Sequence, residues 1–505
     1  MAPLTETIST THLIVGGAAA VVGAFSLYLS TNTPSAKAKR LGAALPPGPK
    51  PAFFVGNLFN FPKSRWYETF SRWAEEYGDV VYVNVIGIPM VVLNSLDPVT
   101  ELMDKRMNIY SNRPSTTMSK LSGLSFATTR LQPGPEFNEQ RRVFRKAMNP
   151  QAVADYDSFI QRDRDNLVRQ LDGFSGNPFL QFVNATGAVL TRIAYGEQLF
   201  KDHGEELIDV NTNVVTLATW VSSKVWLVDL IPPLQYLPDW FPGAVFKRVL
   251  RQSNELASML RYRAYDKIME RIADGTADES ILTKYLDEGS FSRENLRDAI
   301  AVMYGAGVDT TSTALLNFFF CITLYPEWQQ KVHEEMDRVL GRGHLPTREE
   351  IHRLPIFNAV WKEAFRWNPP VPIGLPHFSV KENVGSQLLI RSIFIPSKGY
   401  ILRDKRIWGA DSQTFNPARF LPEFNPQADR FPDMWDIPFG FGRRICPGRH
   451  LAERVALQFA ASVLSTYQVL PVKGKPLNDT MNFEDSVIRR VADFECQFKP
   501  RCQQP

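Results

Sequence analysis

The 505-residue sequence predicts a mainly α-helical fold with a minor β-region, arranged as one large domain behind a short apolar N-terminal segment. Three observations lead there. Apolar residues recur at helical spacing from about Pro150 to Leu340. The β-branched and aromatic enrichment that favours strands is concentrated in "DVVYVNVIGIPMVVLNSLDP", Asp79 to Pro98, on both sides of a Gly-containing turn, which reads as a hairpin. No repeat of about 20 to 50 residues and no low-complexity linker divides the chain. With 44% hydrophobic, 12% aromatic and 22% charged residues, the chain can bury a large core and is not disordered. The net charge of +4 comes without a Lys/Arg run, which argues against nucleic acid as a partner. Cys321, Cys446, Cys496 and Cys502 are too scattered for a disulfide framework and form no C-x-x-C pair, so a reducing compartment is expected. Cys321, inside "LLNFFFCITLY", reads as buried packing.

The N-terminal segment, residues 1–30, is physically separate. "LIVGGAAAVVGAFSLYL", Leu13 to Leu29, is uncharged and as a helix spans about 25 Å, enough for one crossing of a thin bilayer. Glu6 precedes it and Lys37, Lys39 and Arg40 follow. The positive-inside rule therefore predicts a single-pass endoplasmic reticulum protein with its body facing the cytosol. A cleaved signal peptide is disfavoured because the basic n-region is missing. Residues 31–50 form a basic, Pro-rich linker in which Pro46, Pro47, Gly48 and Pro49 make a stiff elbow, and residues 51–505 form the globular domain. Within it, "LIPPLQYLPDWFPG", Leu230 to Gly243, carries Tyr236, Trp240 and Phe241 close after Trp226. It reads either as a second membrane contact beside a substrate entrance or as apolar side chains tucked into the core.

Chemistry concentrates near the C-terminus, in "FGFGRRICPG". A helix mouth with backbone N–H groups aimed at a sulfur lowers a thiol pKa, so Cys446 is a candidate thiolate ligand. Glycines, Gly442 and Gly448 among them, allow close approach to a large flat group, Arg444 offers a fork suited to a carboxylate, and Phe439 can pack beside the sulfur. The summed picture is a thiolate bound to haem iron. Upstream, "AGVDTTST" (306 to 313) interrupts a long apolar helix with residues of low helix propensity, and a threonine hydroxyl can divert a backbone carbonyl there. In "WKEAFRW", Glu363 and Arg366 share a helix face.

These stretches, with "PEFNEQRRVFRK", resemble the cytochrome P-450 superfamily in type and order along essentially the whole chain. The texture is most similar to fungal microsomal members of the O-methylsterigmatocystin oxidoreductase type. The resemblance implies a haem-thiolate fold with Cys446 as axial iron ligand and Arg444, Phe439, Gly440 and Gly448 around it. It also implies Arg141 and His377 beside the haem propionates, with Phe137 where the family has a tryptophan donor. Asp309 and Thr310 would relay protons to dioxygen, with Ala306 and Gly307 making room for oxygen and substrate. Glu363, Arg366 and Arg419 (in "FNPARF") would form a structural triad. Arg142, Arg145 and Lys146 share a helix face and could dock an acidic reductase domain.

By the same resemblance, NADPH-cytochrome P-450 reductase supplies electrons and one oxygen atom of dioxygen enters an apolar small molecule, in fungal secondary metabolism of terpenoid or polyketide type. A haem-thiolate isomerase or dehydratase, a xenobiotic oxidase or a haem-based sensor is the alternative. The first of these is disfavoured because both Asp309 and Thr310 are kept. The substrate lining is expected from Ser115 to Phe126, Val214 to Trp226, Ala301 to Thr310, Val371 to His377 and Phe483 to Ile488. Within it, Phe126, Trp220, Met303, Leu375 and Val487 favour a bulky apolar guest. One departure stands out. After "IFIPSKGY" the family has a longer strand and an Asn-x-Trp segment, whereas here Tyr400 runs directly into Ile401, Leu402 and Arg403.

Overall fold

The computed structural model describes residues 38, 40 and 44–501, apart from 54, 382, 385–387, 390–391, 476, 478–482 and 485–486. The predicted anchor at 13–29 and Cys502 lie outside the described residues. Among the described residues the architecture is the expected one, helical with a small β-region.

Helix α1 (Trp66–Tyr77) leads into strands β1 (Val80–Val85) and β2 (Ile88–Leu93), which pair antiparallel with Val85 opposite Ile88. Alternating Val81, Val83 and Val85 face the core, as a half-buried strand requires. Ile86 (φ 48°) and Gly87 (φ 81°) both take left-handed backbone, the geometry of a tight two-residue hairpin turn. A β-branched residue pays a steric penalty there. Ile86→Gly is expected to raise stability by about 0.5–1 kcal/mol, read as an upward shift in melting temperature. The elbow before α1 rests on this hairpin. Tyr82 N–H donates to the Pro47 carbonyl (2.8 Å), and a Cβ on Gly48 would lie 2.0 Å from the Tyr82 carbonyl oxygen, so only glycine fits.

The helical body follows: α2 (Pro135–Ala147), α3 (Phe179–Tyr195), α4 (Glu197–Ser222), α5 (Val245–Ala273), α6 (Arg293–Leu324) and α7 (Pro355–Trp367). Ser292 caps α6 by accepting from Asn295 N–H, and Tyr325–Pro326 ends it. Between these stops α6 is apolar nearly all round because it is surrounded: α2, α3 and α7 pack on it, as does α8 (Arg449–Thr466). Phe318, Phe319, Phe320 and Cys321 are wholly buried, each phenylalanine stabilising the fold by about 1.5–3 kcal/mol. Among the described residues α6 is the one helix long and apolar enough to cross a membrane, and it lies in the core. Cys321 is packing, as the sequence suggests.

Strands β3 (His377–Phe378) and β4 (Ile393–Pro396) complete a sheet of order β1-β2-β4-β3, with β2 and β4 parallel. Strands β5 (Tyr467–Pro471) and β6 (Cys496–Pro500) pair antiparallel near the C-terminus. After β4 the chain turns at once into a helical turn, Lys398–Ile401. The 230–243 stretch does not tuck into the core: Tyr236 is 82% and Trp240 81% exposed, beside exposed Leu227, Ile231 and Phe241.

Candidate functional site

A cavity of about 320 Å³ lies between α6 on one side and the loop leading into α8 on the other. Cys446 lines it, two residues before Gly448, the N-cap of α8. The loop is locked from three directions. Cys446 N–H donates to the Phe439 carbonyl (2.7 Å), Gly440 turns with φ 84°, and Gly442 (φ 54°) meets the Met103 carbonyl so closely that a Cβ would lie 2.1 Å from it. Gly442 is therefore required for protein packing, not for approach to a flat ligand as its sequence context suggests. A Cβ on Gly448 would make only ordinary contacts with Met148 and Cys446. Phe439 stacks against Phe365 and tilts over Trp435 beneath the loop.

The electrostatics of Cys446 correct one expectation. Burial is the largest influence and pushes the thiol above its ordinary pKa. The Gly448 amide, then Lys398, Arg141 and Arg449, pull it back without reversing the sign. The helix mouth alone does not make a thiolate, and a metal ion must displace the proton.

Around the sulfur the cavity gathers cations. Arg444 donates to the carbonyls of Ser111 (2.7 Å), Thr128 (3.0 Å) and Leu131 (2.7 Å), with its guanidinium 4.1 Å over the Phe137 ring. The fork is first of all a clamp on backbone, and Phe137 supports it by a cation–π contact where an indole would donate. Arg141 donates to Ile445 (2.8 Å). Arg113 reaches the carbonyls of Thr129, Leu375 and Pro376. His377 holds the Tyr110 carbonyl through Nδ1 at 2.7 Å, and burial, with Arg113 and Arg444 nearby, drives its pKa well down, so the ring is neutral. Arg113 and Arg444 crowd each other. Burial and this proximity bring Arg113 down to about 9, and burial with Arg141 brings Arg444 down to about 10. Lys398 completes the set. Among the described residues none of these cations has a carboxylate partner, and the cavity's one acid, Glu453, faces Arg348.

That donor set fits haem. Unpaired buried cations call for an anionic occupant, and a lone cysteine suits a metal that arrives with its other ligands. Among the described residues no group of three His, Cys, Asp or Glu side chains could hold an ion without such help.

The α6 wall presents Val302, Met303, Ala306, Gly307 and Thr310 to the same cavity. Thr310 Oγ1 donates to the Ala306 carbonyl (2.7 Å), the local diversion its sequence context predicts. The missing Cβ of Gly307 also admits Leu190 of α3, which a Cβ would meet at 2.7 Å. Asp309 is 5% exposed and does not border the cavity. It faces Arg490 (3.3 Å), whose Nε in turn binds Glu484 (2.6 Å). Burial raises the Asp309 pKa, Arg490 opposes the rise and Glu484 adds to it.

Behind the loop, the triad assembles without exposure. Arg366 binds both Glu363 oxygens (2.7 and 2.8 Å) and the carbonyls of Leu402, Ser412 and Thr414. Arg419 approaches Glu363 at 3.2 Å and donates to Trp408, and Asn416 N–H donates to Glu363 (2.7 Å). One carboxylate thereby ties α7 to the 402–419 segment.

A cytochrome P-450 family profile matches residues 46–497. The chain belongs to the cytochrome P-450 family. It is 31% identical to a monooxygenase of that family from Postia placenta, with 91% of each chain covered. It is 32% identical to one from Rhodocybe pseudopiperita, with 90% of each covered. A third, from Hericium erinaceus, is 31% identical over 91% of this chain and 89% of its own. The protein is accordingly a haem-thiolate monooxygenase that works with a reductase, an organic substrate and dioxygen.

For a cytochrome P-450 the substrate wall is narrower than the sequence suggests. Of the expected lining, Ala301 to Thr310 and Val371 to His377 contribute. Phe126 is instead buried under the Arg261 guanidinium, Trp220 is exposed and packed on Trp226, and none of the described residues of Phe483 to Ile488 borders the cavity. The basic face on α2 is partly neutralised, since Lys146 pairs with Glu288 and Arg142 with Glu139, leaving Arg145 exposed. Sequence reasoning missed Arg113 and Lys398. A single arginine in the loop "YSNRPS" carries no pattern. Lys398 sits in "IFIPSKGY", just before the shortened segment that follows Tyr400.

Proposed function

We propose that the protein oxidises a bulky apolar small molecule of terpenoid or polyketide type in secondary metabolism, at the endoplasmic reticulum membrane. The observation that carries the site assignment is one cavity bordered by Cys446, by cations lacking carboxylate partners and by Thr310. Cys446 would hold the iron, and Arg113, Arg141, Arg444 and His377 would receive the cofactor's two carboxylates. His377 donates through Nδ1 to the Tyr110 carbonyl, which fixes the orientation of its buried ring at the cavity. When bound, haem supplies the one-electron and dioxygen chemistry.

The chain's own residues handle the protons and the guest. Thr310 holds a hydroxyl at the cavity wall, and Asp309, one residue away with a carboxyl that keeps its proton above the ordinary range, replenishes it. Val302, Met303, Val371 and Leu375 exclude water and favour an apolar guest. Membrane association through residues 13–29 is supported by their uncharged run and by the exposed apolar group around Tyr236 and Trp240, which suits an interfacial contact.

The test is sequential. The reduced protein should give the thiolate-type carbon monoxide difference spectrum. With reductase, NADPH and labelled dioxygen, one labelled atom should then enter a terpenoid or polyketide scaffold. Conversion of the scaffold without NADPH or dioxygen would instead make it an isomerase or dehydratase.

A further inference from the structure

Lys398 is the least expected side chain at this site. It follows Pro396 and Ser397 directly at the start of the helical turn Lys398–Ile401, and it is 6% exposed. A lysine ammonium is a compact, strongly hydrated charge, and burying it costs several kcal/mol unless an anion and hydrogen bonds replace the water. Its described hydrogen bond is one, from Nζ to the Pro438 carbonyl at 2.7 Å, and no carboxylate pairs with it among the described residues. Two ammonium hydrogens are thus left at the edge of the cavity that Cys446 shares.

The position is not slack. Ser397 N–H donates to Leu93 (2.8 Å) and Gly399 N–H to Pro372 (2.7 Å). The α-carbon of Gly399 sits so tightly that a Cβ would lie 2.5 Å from the Tyr67 ring and 2.8 Å from Pro372. The backbone on both sides of Lys398 is therefore pinned, and its ammonium reaches the start of the cysteine loop. Pro438, which accepts from Lys398, is followed by Phe439, whose carbonyl holds Cys446 N–H at 2.7 Å. Consecutive peptides thus hold the ammonium and the sulfur's own residue.

We propose that Lys398 is a positioning residue for the sulfur ligand: it holds one buried positive charge beside Cys446 and so raises the potential at which the bound iron accepts its first electron. The physical reason is elementary. Adding one electron makes the iron–sulfur centre more negative, and a fixed cation in a water-poor site stabilises the reduced form relative to the oxidised one. The charge also attracts sulfur electron density that would otherwise be offered to the metal. This rests on Cys446 being the ligand, which the carbon monoxide spectrum of the wild type tests separately.

The experiment is a spectroelectrochemical titration of the full-length holoprotein and three variants. Lys398→Met removes the charge at nearly constant length, and replacing a buried charge by an apolar group is commonly neutral or stabilising, so the variant should fold. Lys398→Gln keeps a hydrogen bond to the Pro438 carbonyl without the charge. Lys398→Arg keeps the charge. Expected are midpoints lowered in Lys398→Met and Lys398→Gln by about 59 mV, a tenfold change in the one-electron equilibrium constant, with Lys398→Arg near wild type and all retaining the thiolate-type carbon monoxide band. Should Lys398→Met fail to hold haem, Lys398→Gln reads the same quantity. Unchanged midpoints in the neutral variants would overturn the proposal. Unchanged midpoints with faster haem loss to an apoglobin acceptor would also overturn it and assign the ammonium to a haem carboxylate instead.

Discussion

Glu363→Gln is expected to destabilise the protein by about 3–5 kcal/mol and to strip most of the haem from the purified enzyme. Total stability of a folded domain is about 5–15 kcal/mol, so this single oxygen-for-nitrogen exchange consumes a large part of it. The reason is geometric. Glu363 and Arg366 are wholly buried and Arg419 nearly so, and one carboxylate answers two guanidinium groups and the Asn416 amide. A glutamine keeps one acceptor but turns an N–H₂ toward a guanidinium, leaving Arg366 without a carboxylate in a dry interior while Arg419 keeps only Asp411 (3.1 Å). Arg366 makes this worse because it also carries the carbonyls of Leu402, Ser412 and Thr414, so its misplacement releases the segment leading toward the cysteine loop. Melting temperature and haem content per chain measure the effect. A variant with normal stability and haem but low turnover would place the triad in catalysis rather than in the scaffold.

Asp309→Asn is expected to lower NADPH-supported turnover by about 10²-fold or more while leaving haem content and the carbon monoxide spectrum intact. Burial, the dominant influence, raises the Asp309 pKa above the ordinary aspartate range despite Arg490. The carboxyl therefore donates up to a higher pH than a free aspartate could, and its donor form is lost as pH rises through the raised value. Wild-type turnover should fall along that alkaline limb, and the limb should vanish in Asp309→Asn. Arg490→Met should move it to higher pH by removing the opposing charge. Stability follows the same sign. Because the folded state holds the proton more tightly than the unfolded chain, this contribution is complete below the ordinary aspartate pKa and declines as pH rises through the folded one. An alkaline limb that persists unaltered in Asp309→Asn would move the relay to another group.

How much of this was legible beforehand differs by residue, for physical reasons. Cys446, Thr310 and the Glu363–Arg366 pair announce themselves because each sits in a local pattern: a Gly-rich loop before a helix, a polar break in an apolar helix, an i,i+3 pair. Local patterns are what a linear string can carry. Arg113 and Lys398 belong to the same cavity, yet one sits alone in a loop and the other at the start of a short helical turn, and only folding brings them together. The helix mouth was legible too, but not its strength. Whether N–H groups or burial controls a thiol depends on how much water the fold leaves, and here burial wins. Equally, Gly442 was visible as a required glycine, while the carbonyl that requires it, that of Met103, is more than 300 residues away in the chain.

The amino-acid sequence was enough for the fold class, the hairpin at Val80–Leu93 and the family, because these follow from periodicity and from residues close together in the chain. The tertiary structure decided which charges face the cofactor's place and with what partners. It showed Arg444 clamping three backbone carbonyls over Phe137, Asp309 turned from the cavity toward Arg490, and Lys398 buried at the foot of the cysteine loop. Charge partners are set by distance through space and by the water that is excluded between them, and neither quantity is written along the chain.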